Sequence, residues 1–95
     1  MAKDRLSPYH TTWYEGDEHG GVTYHSTNIV SWKDNKVTLN SDGWETVTTK
    51  RKMNQASKMF CLGYSVFQKD FEWFVNLPNG ETVPFKDNMT FERVA

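Results

Sequence analysis

One stretch of this chain carries the period of a helix, and the segments around it carry the period of strands. Met53, Ala56, Ser57 and Phe60 stand at i, i+3, i+4 and i+7, which aligns them in one stripe on a helix surface. Thr48 or Thr49 can cap the start by accepting from an orphan amide, and Gly63 can take the left-handed conformation that stops a helix after Leu62. The pattern predicts one helix over about residues 49–62. A chain of 95 residues has room for a single core. The helix must share that core with strands, so the expected class is α+β.

Residues 22–32 and 36–40 are rich in β-branched and aromatic side chains and flank Lys33-Asp34-Asn35, which suits a tight turn. In that hairpin Val30, Trp32, Val37 and Leu39 keep a period of two and share a face to be buried, while Ser31, Lys33 and Thr38 face outward. Ser41-Asp42-Gly43 turns the chain again, and Trp44-Glu45-Thr46-Val47 has the composition of a short third strand. Residues 64–68 and 71–77 form two more strands across a Lys69-Asp70 turn, the second apolar enough to be central. Pro78-Asn79-Gly80 marks a turn, and residues 81–85 return as a strand that Pro84, lacking a donor, confines to an edge. Residues 89–94 add a last short strand. The expectation is an antiparallel sheet of about five or six short strands packed on one helix, with Trp32, Leu39, Trp44, Met53, Phe60, Val66, Trp73 and Val75 as its main core residues.

Residues 1–21 show no period, carry Pro8, Gly16, Gly20 and Gly21, and contain an acidic cluster of Glu15, Asp17 and Glu18. They read as a partly ordered N-terminal arm ahead of one domain over residues 22–95, with Tyr9, Trp13 and Tyr14 marking a part that packs on the body or a partner. The net charge of −1 excludes the global basic field of strong non-specific nucleic-acid binders, so any such binding must be local. Cys61 is the single cysteine and cannot form an internal disulfide. Met1-Ala2-Lys3-Asp4-Arg5 leads into no apolar run, so no membrane span is expected and a reducing cytoplasm is the expected compartment.

The cations Lys50, Arg51 and Lys52 fall, on this reading, in the first turn of the helix, where they oppose the dipole by a few tenths of a kcal/mol each. A bound anion would account for them, because the Thr48 and Thr49 hydroxyls, the free amides and the Lys50 and Arg51 cations would converge on one phosphate or carboxylate. Asn54, Gln55 and Lys58 continue the outward face that Arg51 begins. The candidate anion or nucleic-acid contacts are therefore Thr48, Thr49, Lys50, Arg51, Asn54 and Lys58. The competing reading is a solvated basic face. A rival class is a protein-binding module in which exposed aromatics of the arm and sheet contact a host or phage protein.

Tyr24-His25-Ser26-Thr27 leads into Ile29-Val30; Val37-Thr38-Leu39-Asn40-Ser41 is followed by Gly43-Trp44; Thr46 precedes Thr48-Thr49-Lys50 and Met53-Asn54-Gln55; Tyr64-Ser65-Val66 precedes Glu72-Trp73-Phe74-Val75. This order resembles a widespread group of short tailed-bacteriophage proteins, mostly without assigned function, over about two thirds of the chain. The resemblance implies a phage genome, an accessory role and action inside an infected host cell, without naming a chemistry. Asp42 stands where a second glycine is expected, which bears on the turn type there.

No residue pattern names a reaction. His10, His19 and His25 with Glu15, Asp17 and Glu18 invite a metal reading, but no pair has the helical or strand spacing that preorganises a zinc or iron site. Ser26, Ser41 and Cys61 lack a glycine-flanked elbow or an orienting carboxylate, and Gly20-Gly21 precedes a strand where a phosphate loop would precede a helix. The chain is expected to be no enzyme and to need no cofactor. His25 shares a predicted strand with Thr27 and would approach Thr48 or Thr49 if the first hairpin packs near the helix start; otherwise it is a structural histidine.

Overall fold

The computed structural model describes residues 10–16, 18–43 and 45–92. The order of elements is β1 (Thr11–Glu15), β2 (His19–Tyr24), β3 (Thr27–Lys33), β4 (Lys36–Leu39), α1 (Val47–Met59), β5 (Ser65–Lys69), β6 (Glu72–Asn76), β7 (Thr82–Pro84) and β8 (Met89–Glu92). The class is α+β, but the strands form two antiparallel sheets where one was expected. One runs β1-β2-β3-β4-β8 and the other β5-β6-β7. The helix separates β4 from β5 along the chain, and β8 pairs with β4 in the register Lys36↔Glu92 to Leu39↔Met89, so it extends the first sheet and does not bridge the two. The Thr38 and Thr90 hydroxyls, 3.0 Å apart, meet across that seam. Alternation along a strand tells which face is buried; it does not tell which neighbour the strand takes.

The β3–β4 hairpin forms as expected with Val30, Trp32, Val37 and Leu39 all buried, but Lys33 pairs with Lys36, so the turn is Asp34 and Asn35 alone and the register is Val30↔Leu39 and Trp32↔Val37. The strand expected over residues 22–32 is in fact two, folded at His25 and Ser26 so that Tyr24 faces Thr27. His25 sits on that turn with φ 56°, not in a strand. A register shift between Val22 and Thr23 lets both Ile29 and Val30 be buried, which strict alternation forbids.

Residues 11–21, expected within the arm, supply β1 and the start of β2. Gly20 explains how they fit. A Cβ there would lie 2.1 Å from Trp32 Cζ2, so the indole rests on bare backbone. Tyr9, Asp17 and Trp44 lie outside the described residues, so the expectations placed on them are not addressed.

Helix α1 begins and ends earlier than its stripe suggests. Thr46, not Thr48 or Thr49, is the N-cap, so Glu45 and Thr46 are not in a strand and Val47 already opens the helix. At the other end Cys61 takes a left-handed φ of 55° and Leu62 N donates back to Ser57 O, so the helix closes before Gly63 is reached. The helix lies along β5 and satisfies its free edge. Asn54 Nδ2 donates to Val66 O at 2.8 Å and Val66 N donates to Asn54 Oδ1 at 2.7 Å; one turn on, Ser57 Oγ donates to Tyr64 O and accepts from Tyr64 N. These side chains take the place of a fourth strand.

The core lies between the two sheets and the helix. Met53, Ala56 and Phe60 from the helical stripe meet Trp32, Leu39, Val66, Trp73 and Val75, with the Trp32 and Phe60 rings 4.6 Å apart. Tyr64 is buried and its hydroxyl donates to Met53 O, and burial holds its pKa well above the ordinary value. Strand β7, with Pro84, forms an edge of its sheet as expected.

Candidate functional site

The start of α1 is built by one threonine. Thr46, extended at φ −104° and ψ 161°, accepts from Thr49 N at 3.2 Å, and its carbonyl takes the first helical bond from Lys50 N at 3.0 Å. The Thr46 and Thr49 hydroxyls are 3.0 Å apart. With Thr46 as cap, the first turn is Val47, Thr48 and Thr49, and it holds no acid. Lys50, Arg51 and Lys52 therefore begin one residue beyond the first turn, where the opposition to the helix dipole is weaker than expected.

The six candidate contacts separate in space. Thr49 is 1 % exposed and its hydroxyl faces Thr46. Asn54 commits its carbonyl and amide to the edge of β5. Thr48 and Lys50 are half-buried, while Arg51 and Lys58 are exposed. Lys52 is drawn inward at 3 % exposure, its Nζ 5.1 Å from the centre of the Tyr24 ring, and burial lowers its pKa. The outward basic face is thus narrower than the sequence suggests. A helix wheel places Asn54 on it, but the wheel does not know that an unpaired strand edge lies beside it.

A cleft of about 550 Å³ opens between the β2–β3 turn and the helix start, lined among others by Tyr24, His25, Ser26, Thr27, Thr46 and Thr49. His25 and Thr49 share this cleft, the approach that sequence spacing allowed. Against the turn, His25 stacks on His10 with ring centres 4.6 Å apart and donates its backbone N–H to His10 O at 2.8 Å. The loop leading to the helix is held by Asp87. Its carboxylate accepts from Ser41 N at 2.8 Å, Ser41 Oγ at 2.7 Å and Gly43 N at 3.2 Å. Burial pushes this carboxyl up, but the three hydrogen bonds outweigh it and hold the pKa below the usual carboxylate range.

A second exposed feature was not expected. The β5–β6 register pairs Lys69 with Glu72, so the two-residue turn is Asp70 and Phe71, one residue later than the Lys69-Asp70 turn expected. Both residues have positive φ, 53° and 68°, the geometry that normally selects Asn-Gly. Phe71 is 95 % exposed. No sequence signal marks it: Phe71 shares the parity of buried Trp73 and Val75, and the pattern reads it as inward.

Among the described residues no helix is long and apolar enough to cross a membrane. A model of the Kyanoviridae Gp96 protein family matches residues 2–92. The chain belongs to that family. The match extends the phage resemblance of the motifs after Tyr24 to nearly the whole sequence, β1 and β2 included. Neither a curated protein nor a solved structure matches the chain, so the family carries the identification alone. It makes the protein a phage protein without supplying a chemistry.

Proposed function

We propose that this family member is a small non-enzymatic accessory module that contacts nucleic acid at the end of the molecule where α1 begins. The observation that supports it is the exposure of Arg51, with half-exposed Lys50, just past the first turn of a helix whose cap residue, Thr46, borders a cleft walled also by Ser26 and Thr27. Phosphate oxygens accept from guanidinium, ammonium and hydroxyl groups alike, and a local basic patch needs no basic chain around it. Thr48, Lys50, Arg51 and Lys58 remain as contacts on this reading, whereas Thr49 and Asn54 serve the fold. The infected cell's cytoplasm is the compartment the reading requires.

The test is titration of fluorescent single-stranded and duplex oligonucleotides at two salt concentrations with the parent and with the Lys50→Ala, Arg51→Ala double variant. The double variant is expected to keep its circular dichroism and to lose about 0.7 of salt slope for each single-strand phosphate contact removed. Unchanged affinity and slope in a folded double variant would make these cations a solvated face. A second reading is favoured by Phe71: an exposed aromatic of this kind is a common anchor in a protein interface. Capture of one host or phage protein regardless of nuclease, by a parent that binds no oligonucleotide, would favour it.

A further inference from the structure

The hairpin tip and the helix start belong to one end of the molecule. Ser57 meets Tyr64 and Asn54 meets Val66, so β5 runs antiparallel to α1. From Asn54 back to Val47 the helix rises about 10 Å at 1.5 Å per residue. From Val66 to Lys69 the strand advances about 10 Å at 3.3 Å per residue, and the Asp70-Phe71 turn carries the chain only slightly farther before it reverses. The tip thus stands at about the level of the helix start, on the side of α1 that carries Asn54 and, at i−4 and i−3 from it, Lys50 and Arg51. Val47, at 59 % exposed, and Phe71, at 95 %, are two of the three large exposed hydrophobics among the described residues.

Phe71 is costly where it stands. A phenylalanine at φ 68° is strained, its ring buries almost nothing in the free chain, and glycine or asparagine would close the same turn more easily. The strand that leaves the turn is anchored two residues on, where Trp73 is buried opposite Gln68. The free fold gives no return for this side chain. A ligand must.

We propose that Phe71 is the stacking residue of a single-stranded nucleic-acid site, with Lys50 and Arg51 holding the backbone of the same strand; the inference rests on the nucleic-acid reading above and deepens it. A base unstacked from its neighbours offers a flat π-face to a protruding ring, and the phosphates beside it need cations within a few ångströms of that ring. Duplex DNA offers no such face. Asp70 and Glu72 beside the ring, and the near-neutral net charge, keep affinity modest and make the aromatic contact a large share of it.

The experiment is fluorescence anisotropy with labelled oligo-thymidine and a mixed-sequence duplex, using the full chain and the variants Phe71→Ala, Phe71→Trp and Phe71→Asn. The parent is expected to prefer the single strand. Phe71→Ala should weaken it about five- to hundredfold, as removal of one base–aromatic stack does, and Phe71→Trp should restore it. The salt slope should not change in any of the three, because the ring releases no counterion. Phe71→Asn should lose binding while melting at or above the parent's temperature, which separates the ring's role from folding. A parent that binds with Phe71→Ala unaltered would overturn the stacking role and leave the nucleic-acid reading standing. A parent that binds no oligonucleotide would overturn both. Binding of a protein from nuclease-treated lysate that is lost in Phe71→Ala would then move Phe71 to a protein interface.

Discussion

Asn54→Ala removes one side chain and opens the edge of a sheet. The amide makes two hydrogen bonds to Val66, one to its carbonyl and one from its N–H, at 2.8 and 2.7 Å. Each is worth about 1 kcal/mol net, and each strand group left facing the helix without a partner costs about 1–3 kcal/mol if water cannot replace the amide. Because the site is partly buried, water will recover some of this, and the expected loss is about 2–4 kcal/mol. That is a large share of the few kcal/mol expected for so small a domain. At about 4–8 °C per kcal/mol, the melting temperature should fall by about 8–32 °C. Urea unfolding followed by tryptophan fluorescence gives the midpoint and slope, and amide exchange at Val66 reports the edge directly. Arg51→Ala, one turn away and exposed, is the control and should stay within about 0.5 kcal/mol of the parent. Asn54→Asp sharpens the test. A carboxylate still accepts from Val66 N–H but repels Val66 O, so the folded state raises its pKa, and the destabilisation should be largest at neutral pH and shrink as pH falls through that raised value. An Asn54→Ala protein with an unchanged midpoint and unchanged protection at Val66 would refute the view that α1 completes the sheet through its side chains.

Three further outcomes are expected. Trp73→Ala empties a buried site against Phe85, whose ring lies 5.3 Å away, and should cost about 3–5 kcal/mol by thermal or urea melt. Gly20→Ala places a methyl within 2.1 Å of the Trp32 ring and should cost about 1–3 kcal/mol, relieved when combined with a smaller residue at position 32. Asp87 has its folded pKa below the unfolded value, so its stabilisation is full above the unfolded pKa and lost as pH falls through the folded one. Asp87→Asn should therefore melt below the parent at neutral pH, and the gap should close under acid.

The sequence by itself determined the local periods. The stripe of Met53, Ala56 and Phe60 marked the helix, the alternation of Val30, Trp32, Val37 and Leu39 marked the buried hairpin, and Pro84 marked an edge. These signals survive because each depends on the geometry of one element against a generic apolar interior. Kinship with phage proteins was legible in the motifs after Tyr24, and the family match bears it out. Only the tertiary structure decided the pairings. That β8 joins β4 and not β7 depends on contacts some fifty residues apart, such as Thr38 with Thr90, which no window along the chain contains. The same holds for the candidate site. Asn54 left the outward face because β5 offered two unpaired backbone groups beside it, and Phe71 left the core because its hairpin closed one residue later than its period implies. Burying backbone polar groups unpaired costs more than a local pattern can repay, so the requirement to pair the edge of β5 overrode the periodicity at Asn54.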